Sequence, residues 1–180
     1  MKIIRDKGNN MHMLLPPSIS LAVQRAFSNF NQEMGDVYPL DSVVGYAERW
    51  RQKPIRIEND QMPPGMTGYT VSLLDCDLIC KCPGLDALLE QRTVLHELAH
   101  LILYHIPSQP KETKVIPYAT FIKRRDRSDS AAHCLYRQRI YAATTRNPQE
   151  QDAEVLAILI NKGIRRYEMQ TPLIARMLHG

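Results

Sequence analysis

Two histidines four residues apart, with a glutamate directly after the first, make His96-Glu97-Leu98-Ala99-His100 the segment most suited to chemistry. On an α-helix, positions four apart lie one turn apart on the same face. His96 and His100 can therefore aim two imidazole nitrogens at one point, at the roughly 2.0–2.1 Å that zinc takes from histidine. Glu97 falls beside such a metal rather than on it. Its carboxylate can serve as general base, taking a proton from water on the zinc and handing it to a leaving amine. Zinc lowers the pKa of that water to about 7, so the chemistry runs at neutral pH. The competing explanation is a chance match of three fixed letters. The surrounding helix, VLHELAHLIL, is strongly apolar. Histidines and a glutamate are costly to bury in such a setting unless something satisfies them. The segment reads as a metal site.

A catalytic zinc needs a third protein ligand. The extended pattern H-E-x-x-H-x-x-G-x-x-H would require glycine and histidine where Leu103 and Ile106 stand, so it is excluded. His105 lies five residues past His100 and is rotated off the metal-facing stripe, so it is expected behind the ligands or at the surface. A later helix must supply a carboxylate, and residues 148–162 offer Glu150, Asp152 and Glu154. The two glutamates share a face and Asp152 points elsewhere. Glu150 also sits three residues past Asn147, close to capping-box spacing. Spacing alone leaves the third ligand open between Glu150 and Glu154.

These residues must be held by a framework that periodicity outlines. Residues 1–17 read as a flexible N-terminal arm, and 18–180 as one domain of α+β class. Ser18 is expected to cap a helix over 19–34 and Asp41 a second over 42–52. Residues 55–58 alternate as a strand, and Tyr69–Cys82 reads as a hairpin or two short strands bent near Asp75. The metal helix is expected from Leu85 or Asp86 to the prolines at 107 and 110. A further helix is expected over 134–141. Pro148 opens a last long one, with Gly163 as its end and a turn or two beyond Thr171.

The blocks RTVLHELAHLILYH (92–105) and EQDAEVLAILI (150–160) together resemble the ImmA/IrrE family of metallopeptidases. Members of that family pair H-E-x-x-H with a later E-x-x-A-[N/D/E]-x-x-A helix, whose first glutamate is the third zinc ligand. That glutamate falls on Glu150, with Ala153, Glu154 and Ala157 filling the positions after it. The resemblance thus favours His96, His100 and Glu150 as the metal set, with Glu154 as the alternative. It implies a zincin-like fold: N-terminal helices, a small, mainly antiparallel sheet, the HExxH helix and a second ligand-bearing helix. It also implies Zn2+ as cofactor and cleavage of a protein partner such as a helix-turn-helix, DNA-binding repressor. In such a fold the strand near Leu78–Cys82 would pair its edge with extended substrate.

Two other functions compete. One is a zincin-shaped regulatory binding module without proteolysis, which a damaged motif would have favoured; His96, Glu97, His100 and Glu150 are all present. The other is direct nucleic-acid binding through Lys123, Arg124, Arg125, Arg127, Arg137 and Arg139. A net charge of +4 is modest, and no aromatic platform accompanies the run, which reads as a solvated loop. Tyr104, His105, His133, Tyr136 and Tyr141 are candidates to stabilise an oxyanion. Cys76, Cys80 and Cys82 share one strand face by their even spacing and read, with Cys134, as buried free thiols. No run approaches the roughly 18–20 apolar residues of a membrane span, and the chain reads as cytoplasmic.

Overall fold

The computed structural model describes residues 3–5, 11–13, 19–106, 115–126 and 147–179. Within the expected N-terminal arm, Ile3–Arg5 (β1) and Met11–Met13 (β2) pair as a short antiparallel ribbon. Two helices follow, α1 (Leu21–Met34) and α2 (Leu40–Arg51). Both begin away from their expected caps. Ser20, not Ser18, accepts from the Val23 amide at 3.2 Å, and Asp41 lies inside the first turn of α2 rather than before it. There its charge suits the positive end of the helix.

Strands β3 (Ile55–Asn59), β4 (Gly68–Ser72) and β5 (Asp77–Lys81) form one sheet in the order β3-β5-β4. The β3–β5 pair is parallel and the β4–β5 pair antiparallel, so the sheet is mixed where a mainly antiparallel one was expected. The cause is topological: β4 runs opposite to both β3 and β5, so the chain reverses twice between them, and β5 returns parallel to β3 and lies between β3 and β4. β5 is thus central. Its two edges are both occupied, which removes the expected role of Leu78–Cys82 as a free edge.

Helix α3 (Ala87–Ile102) starts at Asp86, whose carboxylate accepts from the Leu89 amide at 2.8 Å. It buries Val94, Leu95, Leu98, Ala99, Leu101 and Ile102 against α2, the last helix (Pro148–His179, α5) and the Ile79 side of the sheet. Each such aliphatic side chain is worth roughly 1.5–3 kcal/mol on burial, which fixes the rotation of α3 and hence where His96 and His100 point. On the other face of the sheet a smaller cluster gathers Tyr69, Val71, Leu73, Cys76, Leu78, Cys80 and Phe121. Cys76 and Cys80 are buried free thiols there, as their spacing suggested, and Cys82 is half-buried.

Phe121 belongs to α4 (Tyr118–Asp126), which takes the place of the expected solvated basic loop. Arg125 pairs with Glu58 at 3.2 Å, and Tyr118 donates to the other oxygen of the same carboxylate. That part of the basic run is therefore spent on β3. Arg127, Arg137 and Arg139, with the helix expected over 134–141, lie outside the described residues.

The last helix, α5 (Pro148–His179), passes through Gly163 instead of stopping there. A Cβ at this position would stand 2.3 Å from the Tyr38 ring, whose hydroxyl donates to the Ile160 carbonyl at 3.0 Å. The glycine serves a close approach between Tyr38 and α5, not a helix end. No helix among the described residues is long and apolar enough to cross a membrane.

Candidate metal centre

α3 and α5 cross so that Glu150 faces both histidines. His96 Nε2 is 3.1 Å from Glu150 Oε2, His100 Nε2 is 3.3 Å from the same oxygen, and the two Nε2 atoms are 3.1 Å apart. Their ligand atoms all lie within 4.8 Å of one another, a grouping that can hold a metal ion. Two imidazoles and a carboxylate are a donor set that catalytic zinc sites use. The site sits at the wall rather than in the depths of the protein: the Glu150 side chain is 40% exposed and that of His100 only 11%.

The outward nitrogens also have partners. His96 Nδ1 lies 3.3 Å from Glu154 Oε2, and the other oxygen of Glu154 takes a 2.6 Å bond from Arg92. The two glutamates that spacing could not separate therefore stand on opposite sides of one imidazole ring. His100 Nδ1 lies 3.1 Å from His105 Nδ1. Were Nε2 to hold a metal, Nδ1 of His100 would carry the ring proton and donate a hydrogen bond to His105 Nδ1. Such partners fix ring orientation and tautomer at metal centres. The placement of His105 behind His100 agrees with its rotation off the metal-facing stripe.

Glu97 is buried, and its Oε2 accepts from Thr70 Oγ1 at 2.8 Å. Thr70 comes from β4, which packs closely on α3 because Gly68 opens the strand. A Cβ there would meet Thr93 Cγ2 at 2.5 Å and approach Glu97 Cγ at 3.6 Å. Burial raises the Glu97 pKa, while His100, the Thr70 hydrogen bond and His96 oppose the rise without cancelling it. For Glu150, hydrogen bonds from His100 and His96 outweigh desolvation and hold its pKa well below the usual carboxylate range. Burial works against the imidazolium of His96, yet the Glu150 hydrogen bond and the charges of Glu97, Glu150 and Glu154 carry its pKa upward. At His105, burial and then His100 lower it.

The end of α3 is clamped from α2. Trp50 Nε1 donates to the Ile102 carbonyl at 3.0 Å, and Arg51 donates to the Ile106 carbonyl at 2.9 Å. Tyr104, at a φ of +55°, returns its hydroxyl to the Trp50 carbonyl at 3.0 Å. That hydroxyl is thus engaged away from the cluster, which removes Tyr104 from the oxyanion candidates. His133, Tyr136 and Tyr141 lie outside the described residues. Arg51 also forms a 2.7 Å pair with Asp77, both side chains fully buried, and Ser72 and Lys53 complete the surroundings of that carboxylate.

Sequence reasoning missed Thr70 and Arg92. A threonine in a strand carries no spacing signal toward a helix, since the contact depends on strand register. Arg92 lies one turn before His96, and that spacing alone could have suggested it. Compared with protein-family models, curated proteins and solved structures, the chain matches none.

Proposed function

We propose that this protein is a zinc-dependent endopeptidase of zincin-like fold, with His96, His100 and Glu150 holding the metal and Glu97 acting as general base. The observation that carries this reading is the buried Glu97, held by Thr70 at 2.8 Å directly beside the convergent triad. The donor set fits zinc, which when bound would supply a Lewis acid to polarise a carbonyl and to make water more acidic. Glu97 takes the proton of the attacking water and passes it to the departing amine. Its raised pKa helps in both directions, because a carboxylate nearer to neutral pH accepts and releases a proton more readily. His105 and Glu154 orient the two imidazoles.

An extended substrate would pair with β4, an outer strand among the described residues that brings Thr70 to Glu97. The resemblance to the ImmA/IrrE family suggests a helix-turn-helix repressor as that substrate. The test measures bound zinc and cleavage of a co-expressed repressor for the wild type, His100→Ala and Glu97→Gln. His100→Ala should lose the metal. Glu97→Gln should keep it while cleavage falls about 10²- to 10⁴-fold. Undiminished cleavage by Glu97→Gln would remove the general base from the mechanism. A wild type that binds the repressor and never cuts it would leave a regulatory binding module in place of the peptidase.

A further inference from the structure

A cleft of about 530 Å³ lies between the first half of α3 and the middle of α5, on the far side of Glu154 from the histidines. Volumes of roughly 300–1,000 Å³ suit small-molecule ligands. Its walls are apolar: Leu88, Leu89 and Ile158 open onto it at 58%, 36% and 51% exposure, with Leu95 and Ala157 beneath. Single exposed apolar side chains need no explanation, but three around one concavity do.

The polar rim is unevenly engaged. Asp86 uses its carboxylate to cap α3, and Glu154 uses its two oxygens on Arg92 and His96. Asn161 accepts from Gln91 with its carbonyl oxygen and keeps its amide donors. Arg165 has no hydrogen bond or ion pair among the described residues. Glu154 is committed through both oxygens and Asp86 through Oδ1 at the helix start, while a guanidinium and an amide remain as donors beside the apolar wall, so the chemistry that this end of the cleft can still satisfy is that of an anion.

We propose that this cleft binds a small amphipathic carboxylate, its apolar tail on Leu88, Leu89 and Ile158 and its carboxylate on Arg165, and that occupancy is coupled to the metal centre through Arg92 and Glu154. The coupling path is short. Arg92 lines the cleft and holds one oxygen of Glu154, whose other oxygen faces His96 Nδ1. A carboxylate near Arg92 shares its positive charge, leaving Glu154 the stronger partner for His96 and the imidazole the better ligand for a cation. Ligand and metal should therefore tighten one another, and linkage requires the effect to be mutual. The site itself does not depend on the proposed peptidase activity; only the coupling arm depends on a metal bound at the triad.

The experiment titrates full-length protein with sodium octanoate by calorimetry, first metal-free and then zinc-loaded. Saturable binding is expected, weakened about tenfold by Arg165→Ala, which removes a charged hydrogen bond, and abolished by Ile158→Asp. Both positions are exposed, and unchanged thermal melts will show that the variants fold. Zinc affinity, read by chelator competition at saturating octanoate, should rise about fivefold in the wild type and not in Ile158→Asp. Binding that is non-saturable, or indifferent to both substitutions, overturns the site. A zinc effect that persists in Ile158→Asp places octanoate on the metal and overturns the coupling, as does saturable binding with no zinc effect.

Discussion

The polar clusters around Asp77 and around Glu150 are built on opposite terms. Around Asp77 every charge is answered: Arg51 and Asp77 are fully buried at 2.7 Å, Ser72 donates to the second carboxylate oxygen, and Lys53 stands 3.6 Å away. Around Glu150 the lone pairs of two imidazoles and a carboxylate turn toward a common point, on a wall that solvent reaches. A closed ion pair holds β5 to the end of α2 and leaves Arg51 Nη2 as a buried donor without a partner, enclosed by protein. An open one keeps its ligand atoms accessible and relies on neighbours such as Glu154 and His105 to keep the rings aligned. Burial alone does not mark a candidate site; convergence of ligand atoms on one point that solvent reaches does.

The contrast can be broken by substitution. Asp77→Ala should produce the largest loss of stability, about 3–5 kcal/mol in denaturant unfolding, because it leaves the buried guanidinium unanswered. The double change Arg51→Met with Asp77→Leu should recover most of that loss. A double variant as unstable as Asp77→Ala would show the pair is more than a structural link. Glu150→Ala should cost far less stability in metal-free protein, yet remove a ligand and with it most zinc affinity. Glu154→Gln should weaken zinc binding about 10- to 100-fold, the usual range for a partner of a ligating histidine, without loss of the site. An effect on Glu154→Gln larger than on Glu150→Ala would exchange their roles.

The smallest effect expected is of pH. Metal binding requires neutral His96, whose metal-free pKa is raised above the ordinary 6.5. Zinc affinity should therefore begin to fall at a higher pH than for an ordinary histidine site as the solution is acidified. In metal-free protein the signs differ for the two partners. His96 contributes stability that is fully present below the unfolded value of 6.5 and lost as pH rises through its raised folded pKa. Glu150, with its depressed pKa, contributes above the ordinary 4.5 and loses that contribution as pH falls. Metal-free melting temperatures should thus peak between those limits, and a flat profile would count against the His96–Glu150 interaction.

How much of this was legible in the sequence varied with the range of the interaction. The alignment of His96 with His100 needs only one helical turn and was read directly. Spacing did not separate Glu150 from Glu154, because both lie on the correct face; the family resemblance favoured Glu150, and the crossing of α3 and α5 puts Glu150 on Nε2 and Glu154 on Nδ1 of the same ring. Strand order escaped for a related reason. β5 reads as an ordinary alternating strand whether it is central or at an edge, and only its neighbours decide. Gly163 was misread because a glycine needed for a close approach looks, in sequence, like one that ends a helix.

The clamp between α2 and α3 has an optical consequence. Trp50 is the chain's one tryptophan, and its indole N–H is bound to the carbonyl of Ile102, two residues past His100. Its fluorescence therefore reports on the last turn of α3 with no competing emitter of its kind. Unfastening of that turn would shift the emission to the red, whether caused by heat, a ligand or loss of metal. Folding of the scaffold and occupancy of the centre can then be followed separately in unlabelled protein, one by the indole and the other by a chelator dye.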